Sequence, residues 1–181
     1  MSGTGLVYVV GASGVGKDSV LASLRTLLQD DDRIAVAHRY ITREAQCGSE
    51  NHIALSQPEF LQRRAAGCFA LSWESHGLYY GIGTEIELWL KRGLRVLING
   101  SRAHVDAVRE RYPTASVVEI VASESIVRQR LLARGREDLA SVEARLARNR
   151  QLVACPADLR IANEASLHEA AQALLSVARQ D

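Results

Sequence analysis

The stretch Gly11-Ala12-Ser13-Gly14-Val15-Gly16-Lys17-Asp18-Ser19 decides the fold. It has the spacing G-x-x-x-x-G-K of a phosphate-binding loop. It follows a short apolar, β-branched run, Leu6 to Val10, and precedes a helical pattern of apolar residues. Glycines let successive backbone N–H groups turn inward, and a helix N-terminus and a lysine ammonium group both attract phosphate. We therefore expect these nine residues to bind nucleotide phosphates, with Lys17 also serving catalysis. The alternative is a glycine-rich turn that binds nothing.

The loop departs from the usual motif at Asp18, where a serine or threonine hydroxyl normally holds Mg²⁺. A carboxylate is a good ligand for a hard cation, but it repels phosphate unless a metal ion lies between them. We therefore predict that Asp18 binds Mg²⁺, directly or through water, and that ATP and Mg²⁺ are the cofactors.

The composition is that of a globular protein. The 181 residues are 47% hydrophobic and 24% charged, which suits one domain with a sizeable core. The net charge of +1 creates no bulk field for nucleic acid or an anionic membrane, so neither is expected as a partner. The longest apolar run is too short to cross a bilayer or to act as a secretion signal. Three scattered cysteines without a CxxC pair favour the reducing cytoplasm.

Strand and helix patterns alternate along the chain. Further strands are predicted at Ile34–Ala37, Leu94–Ile98, Val117–Val121 and Leu159–Ala162. Helices are predicted to start with side-chain caps at Ser56, Thr84, Ser123 and Ser166. This alternation predicts an α/β fold of three layers, with a mostly parallel central sheet between helices. The stretch from Arg136 to Arg150 is charged, helical and poor in large apolar residues, which indicates a projecting lid.

A polar insert lies between the predicted strands Ile34–Ala37 and Leu94–Ile98. It carries candidate acceptor-binding side chains at Arg39, Thr42, Arg43, Glu74 and Tyr80. Arginines at the carboxyl end of a parallel strand lie where such sheets bind ligands, and their forked donors suit phosphate. We predict a single domain with a core of residues 1–38, 84–135 and 151–181, an insert of about 39–83 and a lid of about 136–150.

Several of these segments resemble the guanylate kinase family in order and spacing. They are the phosphate loop, Ile41-Thr42-Arg43, Tyr79-Tyr80-Gly81, Arg130-Leu-Leu-Ala-Arg134-Gly135 and Arg145-Leu146. The resemblance covers nearly the whole chain. It implies a P-loop kinase with a core, an acceptor-binding insert and a lid, in which Arg130, Arg134 and Arg145 close over the phosphates.

Three departures from that family concern the acceptor. Leu71 stands where the family has the glutamate that reads guanine, Ile82-Gly83 replaces the hydroxyl residue after Tyr-Gly, and Gln46 replaces the second arginine of T-R-x-x-R. A site built for hydrogen bonds loses orders of magnitude in rate when its partners are absent. We therefore expect GMP to be a poor acceptor.

The chain is more similar to the ribose 1,5-bisphosphate phosphokinases, which are relatives of guanylate kinases associated with bacterial phosphonate breakdown. The similarity lies in Gly-Lys-Asp-Ser, Tyr-Ile-Thr-Arg and Val96-Leu-Ile-Asn99-Gly100-Ser101-Arg102. It implies transfer of the ATP γ-phosphoryl group to the C1 phosphate of the sugar, giving 5-phosphoribosyl 1-diphosphate. Asn99, Ser101 and Arg102 follow a central strand and are expected to face the acceptor.

Two alternatives remain from the sequence: another small-molecule kinase, such as a nucleoside monophosphate kinase, and a guanylate-kinase-like module that binds protein without catalysis. The retained Lys17 and its glycines favour catalysis over the second.

Because an acceptor phosphate is already anionic, no general base is needed, and the five histidines are dispersed. The sequence leaves the oligomeric state open.

Overall fold

The computed structural model of the protein describes residues 5–30, 32–44, 50–133, 135, 138–151 and 155–180. In chain order the elements are β1 (Leu6–Val10), α1 (Lys17–Leu27), β2 (Ile34–Val36), β3 (Arg39–Ile41), β4 (Ile53–Ala54), α2 (Gln57–Ala65), β5 (Phe69–Ser75), β6 (Leu78–Gly83), α3 (Glu85–Lys91), β7 (Arg95–Asn99), a short 3-10 helix (Arg102–His104), α4 (Val105–Arg111), β8 (Ser116–Val121), α5 (Glu124–Ala133), α6 (Leu139–Gln151), β9 (Leu159–Ala162) and α7 (Leu167–Arg179).

The central sheet contains five strands in the order β2-β7-β1-β8-β9, and every neighbouring pair is parallel. Its middle strand, β1, is buried along its whole length. Val7 lies opposite Leu97 of β7 on one side and Ser116 of β8 on the other. The predicted α/β fold with a mostly parallel sheet is therefore confirmed.

Side chains of β1 alternate between two hydrophobic cores. Val7 and Val9 pack with the apolar faces of α1 and α7, while Leu6, Tyr8 and Val10 pack with residues of α3 and α4. This division follows from the two-residue period of a strand. The two cores, one on each face of the sheet, give the three predicted layers. The phosphate loop follows β1 at the edge of the sheet where the parallel strands have their carboxyl ends.

A second sheet of four strands, in the order β4-β3-β6-β5, lies within residues 39–83. α2 covers one of its faces, where the Phe60 ring stacks on Phe69 at 4.6 Å and on Tyr79 at 5.5 Å between centroids. The range is that of the predicted insert. Its role as the unit that binds the acceptor stays a prediction.

Two of the predicted helix starts are capped as expected. The hydroxyl oxygens of Ser56 and Ser166 accept hydrogen bonds from the backbone N–H groups three residues later. The capping prediction at Thr84 is wrong, because its backbone already has helical angles (φ −67°, ψ −10°) and its side chain makes no capping bond. The hydroxyl of Ser123 donates a hydrogen bond of 3.1 Å to Oε2 of Glu164.

The helix α6 differs from the projecting lid that its charge suggested. Val142 and Leu146 are buried and belong to the core that α1 and α7 also form. They are four residues apart, so they lie on one face of the helix. In this structure the described part of the predicted lid therefore packs against the core. Within the described ranges, no helix has the length and apolar character needed to cross a membrane.

Candidate active site

The phosphate loop connects β1 to α1 through three glycines with positive φ. Gly14 and Gly16 have φ of 91° and 93°, and Gly16 immediately precedes the first residue of α1. These angles are strained for residues with a side chain. A Cβ atom on Gly11 would also lie 2.4 Å from the carbonyl oxygen of Ile120 in the neighbouring strand. The loop conformation thus requires glycine both for its torsion angles and for its packing.

Lys17 is the first residue of α1, and its ammonium group folds back over the loop. Nζ donates hydrogen bonds to the carbonyl oxygens of Gly11 at 2.8 Å and Ala12 at 3.4 Å. Burial of the group lowers the pKa of Lys17 to about 8, and the carboxylate of Asp18 opposes this shift in part. A positive charge enclosed in this way is available to a phosphate group that enters the loop.

Four side chains from distant parts of the chain hold the loop from outside. Their bonds are Arg130 Nη1 to the Val15 carbonyl oxygen (3.2 Å), Asn163 Nδ2 to the same oxygen (2.8 Å), Arg145 Nη1 to Ser13 Oγ (2.7 Å) and Asn149 Nδ2 to the Ser13 carbonyl oxygen (3.0 Å). The structure thus brings the predicted Arg130 and Arg145 to the loop. The prediction for Arg134 lies outside the described residues. Ser19 lies in the first turn of α1.

Asp18 connects the phosphate loop to the acceptor side. Its Oδ1 accepts a hydrogen bond of 2.7 Å from Asn99 Nδ2, at the end of β7. The same Nδ2 lies 3.4 Å from Oε1 of Glu50. Because the amide N–H₂ faces two carboxylates, the orientation of Asn99 is fixed. Asn99 therefore lies between Asp18, next to the phosphate loop, and Glu50 of the insert, and its contact with the acceptor stays a prediction.

Arg39 and Glu50 form the central ion pair of the predicted acceptor side. Nε and Nη2 of Arg39 each donate to one carboxylate oxygen of Glu50, both at 2.5 Å. The guanidinium also lies 5.2 Å from the ring centroid of Tyr80 and 3.9 Å from Asp18 Oδ1. Both side chains of the pair are nearly buried. The side-on geometry uses one edge of the guanidinium and leaves Nη1 for another ligand.

Arg43 is held less tightly than Arg39. Its Nη2 is 3.5 Å from Glu50 and 3.4 Å from Nδ1 of His52, and its Nε is buried without a hydrogen-bond partner among the described residues. An unsatisfied buried donor of a charged group is costly unless an anion supplies the missing bond. Arg43 thus has the capacity to bind a phosphate oxygen.

Thr42 directly follows β3, and Tyr80 lies in the neighbouring strand β6 of the second sheet. The Thr42 hydroxyl oxygen accepts a bond of 2.9 Å from the backbone N–H of Tyr79, so it also fixes β6. The ring of Tyr80 stacks on Trp73 with an interplanar angle of 4°. The guanidinium of Arg39 lies 5.2 Å from the centroid of the same Tyr80 ring. Glu74 is exposed, and strand alternation puts it on the opposite face from Trp73. The structure does not bring Glu74 to this site.

Ser101 and Arg102 follow β7 on a segment fixed by Tyr8. The Tyr8 hydroxyl accepts a bond from the Ser101 N–H at 2.9 Å, and burial raises the pKa of Tyr8 to about 12. A Cβ atom on Gly100 would lie only 2.1 Å from the Tyr8 ring, so this position requires glycine. Arg102 begins the 3-10 helix and is partly buried beside the site.

The sequence interpretation missed four residues of this site: Glu50, Asn149, Asn163 and Tyr8. Glu50 lies within the polar insert, but nothing in its local pattern distinguishes it from surface carboxylates. Asn163 directly follows the last central strand, and that position at the carboxyl edge of the sheet was a usable signal. Asn149 and Tyr8 had no such signal, because an asparagine in a charged helix and a tyrosine in a buried strand are common and do not by themselves indicate a functional site.

The chain is similar to known proteins along nearly its whole length. The family model for guanylate kinase matches residues 4–181. Relatives named ribose 1,5-bisphosphate phosphokinase are 50% identical in Desulfomicrobium baculatum, over 93% of this chain and 91% of the relative, and 46% identical in Achromobacter xylosoxidans, over 98% and 93%. The chain belongs to the ribose 1,5-bisphosphate phosphokinases of the guanylate kinase family. A third such phosphokinase, from Thiobacillus denitrificans, is 45% identical over 98% of this chain and 94% of the relative.

Solved structures show the shared fold of this phosphokinase family. A guanylate kinase from Anaplasma phagocytophilum superposes with a TM-score of 0.71, covering 97% of this chain and 85% of that chain, at 18% identity. In the present phosphokinase, Leu71 pairs with Ile82 across β5 and β6, and both side chains are buried. Apolar side chains therefore occupy two positions at which the sequence departs from the base-reading pattern of guanylate kinases.

Proposed function

We propose that this chain transfers the γ-phosphoryl group of ATP to the C1 phosphate of ribose 1,5-bisphosphate, giving 5-phosphoribosyl 1-diphosphate and ADP. The observation that carries the proposal is the contact between Asp18 and Asn99, which joins the end of the phosphate loop to the Arg39–Glu50 pair. A donor loop and an arginine-lined acceptor side therefore meet at one point. The absence of hydrogen-bonding groups at Leu71 and Ile82 supports a sugar phosphate over a nucleotide as acceptor.

The reaction needs positioning and charge neutralisation more than proton transfer. An oxygen of the C1 phosphate forms a bond to the γ-phosphorus, the bond from that phosphorus to the bridging oxygen breaks, and ADP leaves with this oxygen. Because the attacking oxygen is already anionic, no base has to remove a proton. The obstacle is repulsion between two anions, and the cationic side chains of the site offset it.

On the donor side, the loop N–H groups and Lys17 hold the β- and γ-phosphates in this proposal. Lys17 exchanges the carbonyl oxygens of Gly11 and Ala12 for phosphate oxygens. Arg130 and Arg145, already bonded to the loop, add positive charge and exclude water. Arg134 belongs to the same predicted group.

On the acceptor side, Arg39, Arg43 and Tyr80 orient the C1 phosphate. Glu50 fixes the Arg39 guanidinium, so that its remaining donors point in one direction. The unsatisfied Nε of Arg43 gives a further donor. Thr42, Ser101 and Arg102 complete the predicted surface around the sugar.

Asp18 fits the Mg²⁺ ion that this reaction class uses. One carboxylate oxygen is fixed by Asn99, the other has no hydrogen-bond partner among the described residues, and the side chain is 34% exposed. Oxygen is the ligand type that Mg²⁺ prefers. Held by Asp18, Mg²⁺ would supply positive charge that offsets the negative charge of the nucleotide phosphates. We also infer a cytoplasmic location, because the free thiols of Cys68 and Cys155 suit a reducing compartment.

An acceptor panel tests the proposal. The purified protein is supplied with ATP and Mg²⁺ and, separately, with ribose 1,5-bisphosphate, GMP, AMP or gluconate. ADP release and ³¹P NMR of the products are then measured. We expect turnover of ribose 1,5-bisphosphate with a new diphosphate signal. Rapid turnover of GMP together with no turnover of the ribose bisphosphate would refute the proposal.

A further inference from the structure

A cleft extends from the phosphate loop along α1. One wall is a face of α1 formed by Asp18, Leu21, Ala22 and Arg25. Glu50 and Asn99 lie in the lining at its other side, so the cleft begins at the contact that joins donor and acceptor sides. It is therefore the space into which an acceptor bound at Arg39 and Arg43 can extend.

The helical period places charges at the two ends of this wall. Asp18 and Arg25 are seven residues apart, which puts them on the same face of α1 and about 10 Å apart along its axis. Leu21 and Ala22 lie between them and offer an apolar surface. A ligand along this wall thus meets the phosphate loop at one end, an apolar middle and a guanidinium at the other end.

The guanidinium of Arg25 has no carboxylate within ion-pair distance in the described part of the chain. Its one hydrogen bond goes from Nη2 to the carbonyl oxygen of Val36, at 3.4 Å. Glu50 attracts it only at longer range, and partial burial lowers the pKa of Arg25. A half-buried cation with a single long bond to a neutral oxygen retains most of its donors for an anion.

We propose that Arg25 binds the 5-phosphate of the acceptor and so makes the enzyme specific for doubly phosphorylated pentoses. The inference rests on the proposed function, since it concerns the far end of the same substrate. With the C1 phosphate at Arg39 and Arg43, beside the phosphate loop, the pentose lies along Leu21 and Ala22, and the second phosphate reaches the fork of Arg25. An acceptor without this phosphate leaves the cation unpaired.

The test compares acceptors with and without the 5-phosphate in three variants. Each protein is assayed with ribose 1,5-bisphosphate and with ribose 1-phosphate. The proteins are wild type, Arg25→Met, Arg25→Lys and the control Arg64→Met, whose arginine is exposed on α2. We expect Arg25→Met to lower kcat/KM for the bisphosphate by about 10- to 100-fold and to change it little for the monophosphate. Arg25→Lys should recover part of the loss, and the control should match wild type.

A binding measurement gives a readout that does not need turnover. Calorimetric titration with ribose 5-phosphate should show about tenfold weaker binding to Arg25→Met than to wild type or Arg64→Met. An equal loss with both acceptors would mean that Arg25 only ties α1 to Val36, and it would overturn the inference, as would an unchanged kcat/KM for the bisphosphate. Failure of the wild type to use ribose 1,5-bisphosphate would instead refute the proposed function and, with it, this inference.

Discussion

The proposed donor and acceptor sides of the active site are built in different ways. The donor side is one continuous stretch, Gly11–Ser19, whose binding groups are mainly backbone N–H groups, and side chains such as Asn163 support it through its carbonyl oxygens. The acceptor side is assembled from charged side chains on separate elements that bond to each other, Arg39 with Glu50 and Asn99 with Asp18. A backbone site tolerates changes in most of its side chains, whereas a network of side chains depends on every member.

Removing Lys17 tests whether the donor side depends on one side chain as well. Lys17→Met should lower kcat by about 100- to 1000-fold, because the enclosed ammonium group is the charge closest to the phosphates. Steady-state ADP release measures this. Lys91→Met, which removes the only other lysine from an exposed position, should match wild type. Turnover of Lys17→Met within tenfold of wild type would show that the loop N–H groups suffice.

Breaking the Arg39–Glu50 pair tests the acceptor network. Glu50→Gln keeps the shape of the side chain but loses the two-point bond, so the acceptor KM should rise about 10- to 100-fold while the ATP KM changes by less than about twofold. Initial rates with each substrate varied in turn give both constants. Glu59→Gln, which breaks an exposed ion pair with Arg63 on α2, is the control. A lower acceptor KM in Glu50→Gln would mean that Glu50 competes with the acceptor phosphate.

Asp18 belongs to both sides, so its substitution sharpens the comparison. Asp18→Asn should raise the Mg²⁺ concentration needed for half-maximal activity by about tenfold, because a neutral amide is a weaker ligand for a hard cation. Metal-free ATP binding, measured by calorimetry, should change less. Asp106→Asn, an exposed substitution on α4, serves as the control. Equal losses in both measurements would remove Asp18 from the metal site.

The smallest effect concerns the protonation of Lys17. Burial gives Lys17 a pKa of about 8, so the ammonium group loses its proton as the pH rises through 8. Phosphate oxygens favour the charged form, so ATP binding at pH 9 should be accompanied by uptake of up to about one proton and should be several-fold weaker than at pH 7. Titration calorimetry in buffers of different ionisation enthalpy measures the uptake. The same proton uptake in Lys17→Met would assign it to another group.

The sequence predicted the contiguous phosphate loop better than the side-chain network of the proposed acceptor side. The phosphate loop and the five parallel strands were predicted nearly to the residue, because the motif is contiguous and the strands have apolar patterns that depend on neighbours in the chain. The family assignment was also confirmed. Glu50 and Arg25 could not be placed, because a carboxylate in a polar loop and an arginine on a helix look like surface residues until the fold puts them in one cleft. Packing of α6 through Val142 and Leu146 was hidden by its many charges.

The stacked pair of Trp73 and Tyr80 has a practical consequence. Indole fluorescence responds to nearby charge and to the motion of a stacked ring, and Arg39 lies over the other member of the pair. The chain has one other tryptophan, Trp89, in α3. The enzyme therefore carries its own optical reporter next to the acceptor arginines, and a Trp89→Phe background would isolate that emission so that substrate arrival is followed in real time without an added dye.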